Sequence, residues 1–259
     1  MSTPLHIEAT GEGPPLVLLH GWAMHSQMWG TLLPRLARRY RVHAVDLPGH
    51  GHSAAPAEFT LDGVVSALAS AFAAVAPLTV LGWSLGGQIA MRWAYSQPGQ
   101  VRRLLLVATS PRFVAGEGWA HGMSDETLVR FGDELRANWK LTMERFLTLQ
   151  LQGGEHSRAT LSALRERIFA RGAPSPAALI GAFALLRTAD LRHELAGIAQ
   201  PALVVSGERD TLALPEAGRF LAGELRRGAF ALIAGAAHIP FASHADAFGA
   251  ALDAFLDAR

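Results

Sequence analysis

Short apolar runs of the kind that form buried strands recur along the chain, and stretches with helical spacing of apolar residues separate them. The strand-like runs are PPLVLLH (14–20), YRVHAVDL (40–47), LTVLGWS (78–84), RRLLLVAT (102–109), ALVVSGE (202–208) and AFALIAG (229–235). Segments such as SQMWGTLLPRLARR and LDGVVSALASAFAAVA lie between them and repeat apolar residues with the period of an amphipathic helix. This alternation predicts an α/β fold, in which helices cover both faces of a mostly parallel central sheet.

The alternation is interrupted in the middle of the chain. Only helical patterns occur from about Phe113 to Leu186, and strand-like runs resume at Ala202. We therefore predict a core formed by residues 1–112 and 187–259, with residues 113–186 inserted as a helical cap. The alternative is that this block extends the helical layer of the core.

Composition and charge limit the classes of function. Half of the 259 residues are apolar, which is enough for one large core. The net charge of +1 gives no general attraction to nucleic acid or to membrane lipid. No apolar run reaches the roughly 18 residues of a membrane helix, and MSTPLHIEATGEG lacks a signal-peptide pattern. We expect a cytoplasmic monomer that binds neither nucleic acid nor membrane and, without cysteine, has no thiolate chemistry.

The segment from Gly82 to Gly86 reads GWSLG and matches the G-x-S-x-G nucleophile elbow. A sharp turn from strand to helix would hold Ser84 in a strained backbone conformation and lift its hydroxyl off the sheet. Glycines are needed on either side because the backbone is crowded there. The alternative is an ordinary N-cap serine in a glycine-rich turn. The predicted strand before the motif and the predicted helix after it favour a nucleophile.

A serine hydroxyl needs a base, and the base needs a group that orients it. His238 lies in GAAHIPF between the last strand and the last helix, at the sheet edge where α/β proteins bind ligands. The chain order serine, acid, histidine predicts an acid after the preceding strand. Asp210 in VVSGERD fits this position, with Glu208 as the nearby alternative. We favour Asp210 because Glu208 lies closer to the strand and would point elsewhere.

Two backbone N–H groups are expected to form an oxyanion hole. The N–H of Leu85 follows the nucleophile, and the N–H of Trp22 lies in the loop after the first predicted strand. We interpret His20 in that loop as structural.

The run DLPGHGHS, which begins at Asp46, predicts a tight turn. A structural role of Asp46 in closing the turn is favoured over a catalytic one. His50 and His52 alternate near Asp46, but no third histidine or cysteine is close in sequence, so no metal site is predicted.

Several of these segments together resemble the α/β-hydrolase superfamily: LLHGW, DLPGHGHS, LGWSLGG, the Asp210 turn and AAHIPF. The resemblance covers nearly the whole chain and implies the α/β-hydrolase fold with an inserted helical cap. It also implies acyl transfer through an acyl-enzyme on Ser84, without a metal or organic cofactor.

A narrower resemblance rests on HGWAMHSQMW, LGWSLGGQIA, ATSPRF, MERFLTLQ, LRTADLRHEL and AAHIPFASH. These are similar to the family of pimeloyl-acyl-carrier-protein methyl ester esterases of biotin synthesis. The resemblance implies hydrolysis of the methyl ester of a pimeloyl chain tethered to acyl carrier protein. It also implies that the substrate is lined by Trp22, Ser84, Leu85, Phe146, Leu147, Thr148, Leu149, Gln150 and His238. We expect Trp22, Trp83, Phe146 and Leu149 to form an apolar channel, although Trp83 and Leu149 are equally consistent with core packing.

The same resemblance implies that cap arginines dock the acidic carrier protein, and Arg145 and Arg158 match docking positions of the family. Two further positions are not arginine here but Leu141 and Ser162, with Lys140 and Arg165 as neighbours that could substitute. The remaining cap arginines are interspersed with acids, so a solvated helix face is an equally good interpretation.

Two other functions remain open from the sequence. The chain could be a general carboxylesterase or another α/β-hydrolase that acts on a free small-molecule ester. It could also be a ligand-binding protein that uses this scaffold without turnover, although the intact set of Ser84, Asp210 and His238 argues against that.

Overall fold

The computed structural model describes residues 4–152, 154, 158–168, 170–171 and 174–258, with only the backbone of residues 158, 159 and 161. The side chain of Arg158, one of the two predicted docking residues, therefore lies outside the described residues.

The described residues form one seven-stranded sheet in the order β1-β3-β2-β4-β5-β6-β7. All neighbouring strands are parallel except the antiparallel pair β1 and β3. The strands are β1 Ile7–Thr10, β2 Pro15–Leu19, β3 Arg41–Val45, β4 Leu78–Trp83, β5 Val101–Val107, β6 Ala202–Gly207 and β7 Gly228–Ile233. The predicted α/β fold with a mostly parallel sheet is confirmed.

Strand β1 was not predicted from the sequence. It is four residues long, and most of its side chains are exposed because it forms an edge of the sheet. The six predicted strands agree with β2 to β7 to within about two residues at each end, the usual uncertainty of strand boundaries. The central strand β4 is buried along its whole length, as expected for a parallel strand covered on both faces.

Ten α-helices and two 3-10 helices are described. The α-helices are α1 Leu32–Leu36, α2 Leu61–Ala71, α3 Leu85–Ser96, α4 Asp125–Ala137, α5 Trp139–Leu149, α6 Arg158–Ile168, α7 Pro176–Thr188, α8 Pro215–Glu224, α9 Pro240–Ser243 and α10 Ala245–Asp257. The 3-10 helices are Ser26–Trp29 and Arg192–Gly197. Among the described helices, none is both long and apolar enough to cross a membrane.

Helices α4 to α7 lie between β5 and β6, where the sequence predicted a cap. The expectation of helical structure from Phe113 onward is wrong for residues 113–124. Those residues form a short loop with β-bridges between Val114 and Met123 and between Gly116 and Trp119. The first cap helix begins only after Ser124, whose hydroxyl accepts a hydrogen bond from the N–H of Thr127.

Hydrogen bonds to backbone carbonyls join the cap to the loops of the core. The N–H of Ser175 donates to the carbonyl of Gly49, and the indole of Trp22 donates to the carbonyl of Leu179 at 2.9 Å. The cap therefore sits directly over the loops that follow β2 and β3.

Candidate active site

Ser84 lies at a sharp junction between β4 and α3, with φ 55° and ψ −116°. This left-handed conformation is costly for a residue with a side chain and persists only where the surroundings fix it. The Ser84 N–H donates to the carbonyl of Val107 at 2.9 Å, and the hydroxyl of Thr109 donates to the Ser84 carbonyl at 2.7 Å. The strained turn is thus held by hydrogen bonds from the neighbouring strand β5 and the residues that follow it.

The glycines around Ser84 are required by close backbone contacts. A Cβ atom at Gly82 would lie 2.2 Å from the carbonyl oxygen of Gly86, and one at Gly86 would lie 2.1 Å from that of Leu19. No side chain fits at either position without moving the backbone. The turn therefore needs the G-x-S-x-G pattern for steric reasons.

His238 lies in the loop between β7 and α9, and its side chain is held on two sides. Its Nδ1–H donates to a carboxylate oxygen of Asp210 at 2.8 Å, and both residues are buried. The other Asp210 oxygen accepts from the N–H groups of Leu212 and Ala213 at 2.9 and 3.0 Å. This arrangement leaves Nε2 of His238 as the ring nitrogen that can accept a proton.

Glu208 takes no part in this pairing. Its carboxylate accepts a hydrogen bond from the N–H of Gly235 at 2.8 Å and so links the end of β6 to the turn after β7. Asp210, and not its neighbour, is therefore the acid that contacts the histidine.

The loop after β2 passes close to Ser84. A Cβ atom added at Gly21 would lie 3.3 Å from Ser84 Cβ, and the next residue, Trp22, lines the same cavity as Ser84. Leu85 is the first residue of α3, where an N–H has no acceptor within the helix. In the described part of the chain, neither of these N–H groups has a hydrogen-bond acceptor.

Ser84 and His238 both line a cavity of about 320 Å³ between the cap and the sheet edge. Its other walls are mainly apolar and are formed by Trp22, Phe113, Met123, Ser124, Thr127, Leu128, Phe131, Phe146, Leu149, Phe183, Leu186, Thr211 and Leu212. A hydroxyl and an imidazole that line one cavity, with a buried carboxylate bonded to the imidazole, are the groups that acyl-transfer chemistry uses.

A family model described as alpha/beta hydrolase fold matches residues 14–245, which is most of the chain. This chain belongs to the alpha/beta hydrolase fold family. The superfamily resemblance predicted from the sequence is confirmed.

Individual relatives of the hydrolase point to a narrower group. It is 41% identical over 249 residues to the pimeloyl-acyl-carrier-protein methyl ester esterase of Nitrosospira multiformis, covering 94% of this chain and 95% of that protein. It is 45% identical over 254 residues to the protein of the same name from Xanthomonas oryzae pv. oryzae, covering 97% of this chain and 98% of that one. The narrower resemblance is confirmed by these relatives.

The structure of the hydrolase also superimposes on solved structures. The esterase EaEST from Exiguobacterium antarcticum matches with a TM-score of 0.91 and 22% sequence identity, covering 99% of this chain and 96% of that chain. At this level of identity, the match establishes the shared fold.

Only some of the predicted substrate-lining residues face the cavity of the hydrolase. Trp22, Ser84, Phe146, Leu149 and His238 line it, and the remaining predicted residues do not: Leu85, Leu147, Thr148 and Gln150. For Leu147 and Thr148 the reason is helical geometry, since neighbouring residues of α5 point in directions about 100° apart and only residues three or four apart share a face.

The residues that turn away from the cavity have other surroundings. Leu147 is buried within the cap, and the exposed Thr148 donates its hydroxyl hydrogen to the carbonyl of Glu144.

The Gln150 amide is buried, and its nitrogen and oxygen have no hydrogen-bond partner in the described residues. Its backbone carbonyl accepts from the N–H of His238 at 3.0 Å. The side chain of Leu85 is buried beside the elbow, and only its N–H is of interest for chemistry.

Trp83 lies beneath the site of the hydrolase and not in the channel where the sequence analysis placed it. Its indole donates to the carbonyl of His238 at 2.9 Å, and its ring contacts Trp29 and Phe241. The core-packing alternative therefore describes Trp83, while Leu149 belongs to the cavity wall.

Sequence reasoning missed the phenylalanines on two cap helices. Phe131 on α4 and Phe183 on α7 contact each other, with ring centroids 5.2 Å apart, and both line the cavity. The apolar stripes of these helices were visible in the sequence, but the same stripe also suits ordinary packing against the core.

Asp46 has a structural role, because its carboxylate holds two loops by hydrogen bonds. Its carboxylate accepts from the N–H groups of Ser26 at 2.7 Å and His52 at 2.9 Å. Burial raises the pKa of the Asp46 carboxyl, but these hydrogen bonds outweigh burial and hold the pKa below its ordinary range. His20 is also structural, since its Nε2 accepts from the N–H of Leu47 at 2.9 Å.

His6, from a distant part of the sequence, lies beside Asp46 and His52 and is a third possible metal ligand that the sequence did not predict. Their possible ligand atoms lie within 4.8 Å of one another. Nη1 of Arg171 lies 3.1 Å from both Asp46 Oδ2 and His52 Nδ1, so a guanidinium already pairs with two of the three residues. These residues fit an ion pair better than they fit a metal ion.

Of the two proposed docking arginines, only Arg145 has a described side chain. It is exposed on α5 and lies 3.5 Å from the carboxylate of Glu134. Arg158 begins α6, and its side chain lies outside the described residues. Leu141 is an exposed apolar residue on α5, and Lys140 beside it lies over the ring of Trp139.

Proposed function

We propose that this chain is a serine carboxylesterase that hydrolyses the methyl ester of pimeloyl-acyl-carrier protein in biotin synthesis. The observation that carries the proposal is the similarity, over nearly the whole chain, to proteins named for this reaction. The position of Ser84 and His238 at the floor of one apolar cavity supports it, because a neutral ester on an aliphatic chain suits such walls.

The acylation step uses the hydroxyl of Ser84 as nucleophile. Ser84 Oγ attacks the ester carbonyl while His238 Nε2 takes its proton, and Asp210 holds the imidazole in the required tautomer and stabilises the imidazolium. The N–H groups of Leu85 and Trp22 donate to the oxyanion of the tetrahedral intermediate. Each such donor contributes about 3 kcal/mol to the barrier reduction in related cases. His238 then protonates the departing methanol.

The deacylation step repeats this chemistry with water. His238 removes a proton from a water molecule as it attacks the acyl-enzyme, and the second tetrahedral intermediate uses the same two N–H donors. Collapse of this intermediate returns the proton to Ser84 and releases a free pimeloyl carboxylate on the carrier protein. No step needs a metal or an organic cofactor.

The aliphatic part of the substrate would lie along the apolar walls beside Ser84. The aromatic residues Trp22 and Phe146 and the aliphatic Leu149 contact the chain in this proposal. Burial of methylene groups contributes about 0.8 kcal/mol for each group, so the chain itself supplies much of the affinity.

The carrier protein would dock on the cap through Arg145 and Arg158, with Lys140 and Arg165 nearby. Exposed ion pairs are screened by salt, so the KM for carrier-bound substrate should rise with ionic strength. The Arg145→Glu variant should raise that KM and leave the hydrolysis of a free methyl ester unchanged. We also propose that the enzyme is cytoplasmic and monomeric. Gel filtration of the purified protein tests whether it is a monomer.

Genetic rescue tests the cellular function. A biotin-requiring strain that lacks its own esterase of this type should grow without biotin when it expresses the wild-type chain. The Ser84→Ala variant, expressed to the same level, should not support growth. Failure of the wild type, despite folded and abundant protein, would contradict the proposal.

A second candidate is a general carboxylesterase that acts on free small-molecule esters. The observation that favours it is that Arg145, the docking arginine with a described side chain, already lies 3.5 Å from the carboxylate of Glu134 and is not free for an acidic partner. Equal catalytic efficiency on free and carrier-bound methyl esters, with equal losses in Arg145→Glu, would support this candidate. A protein that binds ligands without turnover would instead leave Ser84 unlabelled by a fluorophosphonate probe.

A further inference from the structure

Trp22 contributes two different groups to the region around Ser84. Its backbone N–H directly follows Gly21, where an added Cβ would lie 3.3 Å from Ser84 Cβ, and it is one of the two oxyanion donors in the proposed mechanism. Its indole ring points away from the core loop into the cap and is almost fully buried. The side chain therefore connects a backbone donor of the core with helices of the cap.

Three cap helices surround the indole. Phe146 on α5 meets it edge to face with ring centroids 4.9 Å apart, Phe131 on α4 does so at 5.5 Å, and Phe183 on α7 lies at 5.7 Å. Aromatic contacts of this kind prefer defined relative orientations. The ring can therefore move only if the three helices move with it.

A hydrogen bond fixes the indole along the remaining direction. Its N–H donates to the carbonyl of Leu179 on α7 at 2.9 Å. A buried N–H that loses its acceptor costs about 1 to 3 kcal/mol, so this bond favours one position of the ring. The position of α7 is thus transmitted to Trp22 by a directional contact.

The loop that carries the Trp22 N–H is conformationally strained. The next residue, Ala23, has φ 64°, a left-handed conformation that costs a non-glycine residue about 1 to 2 kcal/mol. The preceding residue is Gly21, which has no side chain to hold the loop in place. The loop therefore depends on contacts with its surroundings, and the indole supplies the hydrogen bond that links it to the cap.

We propose that the cap fixes the position of one donor of the oxyanion hole. The carbonyl of Leu179 and three phenylalanines hold the Trp22 indole, and the indole in turn positions the Trp22 N–H to donate to the tetrahedral intermediate. The inference rests on the proposed function for the role of this N–H. The indole is a positioning group, since it acts through the backbone of its own residue. The cap then contributes to the chemical step as well as to the cavity walls.

The Trp22→Phe variant tests this directly. It keeps an aromatic ring among the phenylalanines and removes the N–H that bonds to Leu179. Misplacement of a catalytic group by about 1 Å costs up to about a hundredfold, so we expect kcat to fall by about ten- to a hundredfold with a much smaller change in KM.

A matched tryptophan provides the control. Trp29 is also buried, and its indole nitrogen has no hydrogen-bond partner in the described residues. Trp29→Phe therefore makes the same change in volume without removing a hydrogen bond. Both variants are measured with p-nitrophenyl butyrate, and thermal unfolding checks that both are folded.

A second pair of variants moves α7 without changing Trp22. A Cβ atom at Gly181 would lie 2.7 Å from Cβ of Phe59, so Gly181→Ala displaces the helix that carries the Leu179 carbonyl. Gly223 on α8 has no atom within 4 Å of the added Cβ, which makes Gly223→Ala the control. We expect kcat to fall in the first variant and to stay near wild type in the second.

Two results would overturn the proposal. One is a Trp22→Phe enzyme whose kcat matches that of Trp29→Phe, or whose KM alone changes, since the indole would then be only a wall of the cavity. If Trp22→Phe does not fold, equal kcat values for Gly181→Ala and Gly223→Ala decide against the proposal. The butyrate ester needs neither carrier protein nor a pimeloyl chain, so these results are independent of whether the carrier-bound ester is the substrate.

Discussion

His238 donates its Nδ1–H to Asp210 at 2.8 Å, while the carboxylate of Glu208, two residues earlier, faces Gly235. The two acids flank the same turn after β6 but have different partners. One turn thus carries an acid that orients the imidazole and an acid that holds the backbone together.

Substitution of the two acids should separate these roles. Asp210→Asn retains the size of the side chain but favours the wrong tautomer of His238, so we expect kcat to fall by about 10³- to 10⁴-fold. Glu208→Gln can still accept a hydrogen bond from Gly235 and should keep kcat near the wild-type value. The measurement is steady-state hydrolysis of p-nitrophenyl butyrate. A larger loss in the Glu208 variant than in the Asp210 variant would contradict the assignment.

The elbow should tolerate no side chain at Gly86. Because an added Cβ would lie 2.1 Å from the carbonyl oxygen of Leu19, Gly86→Ala should lower the free energy of unfolding by about 2 to 3 kcal/mol and impair hydrolysis. Gly99→Ala is the control, since nothing lies within 4 Å of its added Cβ. Urea denaturation measures both. Equal stability of the two variants would show that the turn is less crowded than the structure indicates.

The local parts of this site were predictable because they depend on short sequence patterns. A strand, a glycine-flanked serine and a helix specify the elbow, and the order of Ser84, Asp210 and His238 follows from the strands that precede them. Strand β1 escaped prediction because its four residues, IEAT, are mostly exposed and lack a buried face.

The cavity walls were harder to predict because they depend on which face of each helix turns inward. The family resemblance pointed to five consecutive residues from Phe146 to Gln150, but only Phe146 and Leu149 lie on the face toward the cavity. Phe131 and Phe183 come from helices whose packing angle the sequence does not encode locally. His6 joined Asp46 and His52 only through the long-range pairing of β1 with β3.

Acid should destabilise the fold through His50. Burial lowers the pKa of His50 from its ordinary value of 6.5 to about 4. Between these values the unfolded chain binds a proton at this site and the folded chain does not, so stability falls as the pH falls. Each such group contributes a slope of about 1.4 kcal/mol per pH unit.

In His50→Asn the free energy of unfolding should therefore fall less steeply between pH 6 and pH 4.5. The slope should be smaller by the contribution of about one proton. The asparagine amide can replace the imidazole N–H that donates to the carbonyl of Pro48. Some slope should remain because burial also lowers the pKa of His20, to about 3. Urea denaturation across this pH range makes the measurement, and an unchanged slope would rule out the assigned contribution of His50.

The ion pair between Arg171 and Asp46 should anchor the cap. Arg171 is buried, its Nη1 lies 3.1 Å from Asp46 Oδ2, and its Nη2 also pairs with Glu8. Arg171→Met leaves a buried carboxylate without its cation, which should cost about 3 kcal/mol of stability. Arg165→Met, at an exposed position of α6, should change stability by less than about 0.5 kcal/mol.

A double-mutant cycle separates the ion pair from simple loss of packing. Asp46→Asn combined with Arg171→Met should be more stable than the sum of the two single changes predicts. Strict additivity in thermal or urea unfolding would mean that the two side chains do not interact across the boundary between cap and core.

The central claim is that the enzyme hydrolyses the methyl ester of a pimeloyl chain held on acyl carrier protein, with the Ser84 hydroxyl as nucleophile. Mass spectrometry of methyl-pimeloyl-acyl-carrier protein incubated with the purified enzyme tests it most directly. The account predicts loss of the mass of one methylene group with the wild type, no loss with Ser84→Ala, and an intact thioester in both. A carrier-bound ester that stays unchanged with folded wild-type enzyme, or that is cleaved equally by Ser84→Ala, would contradict it.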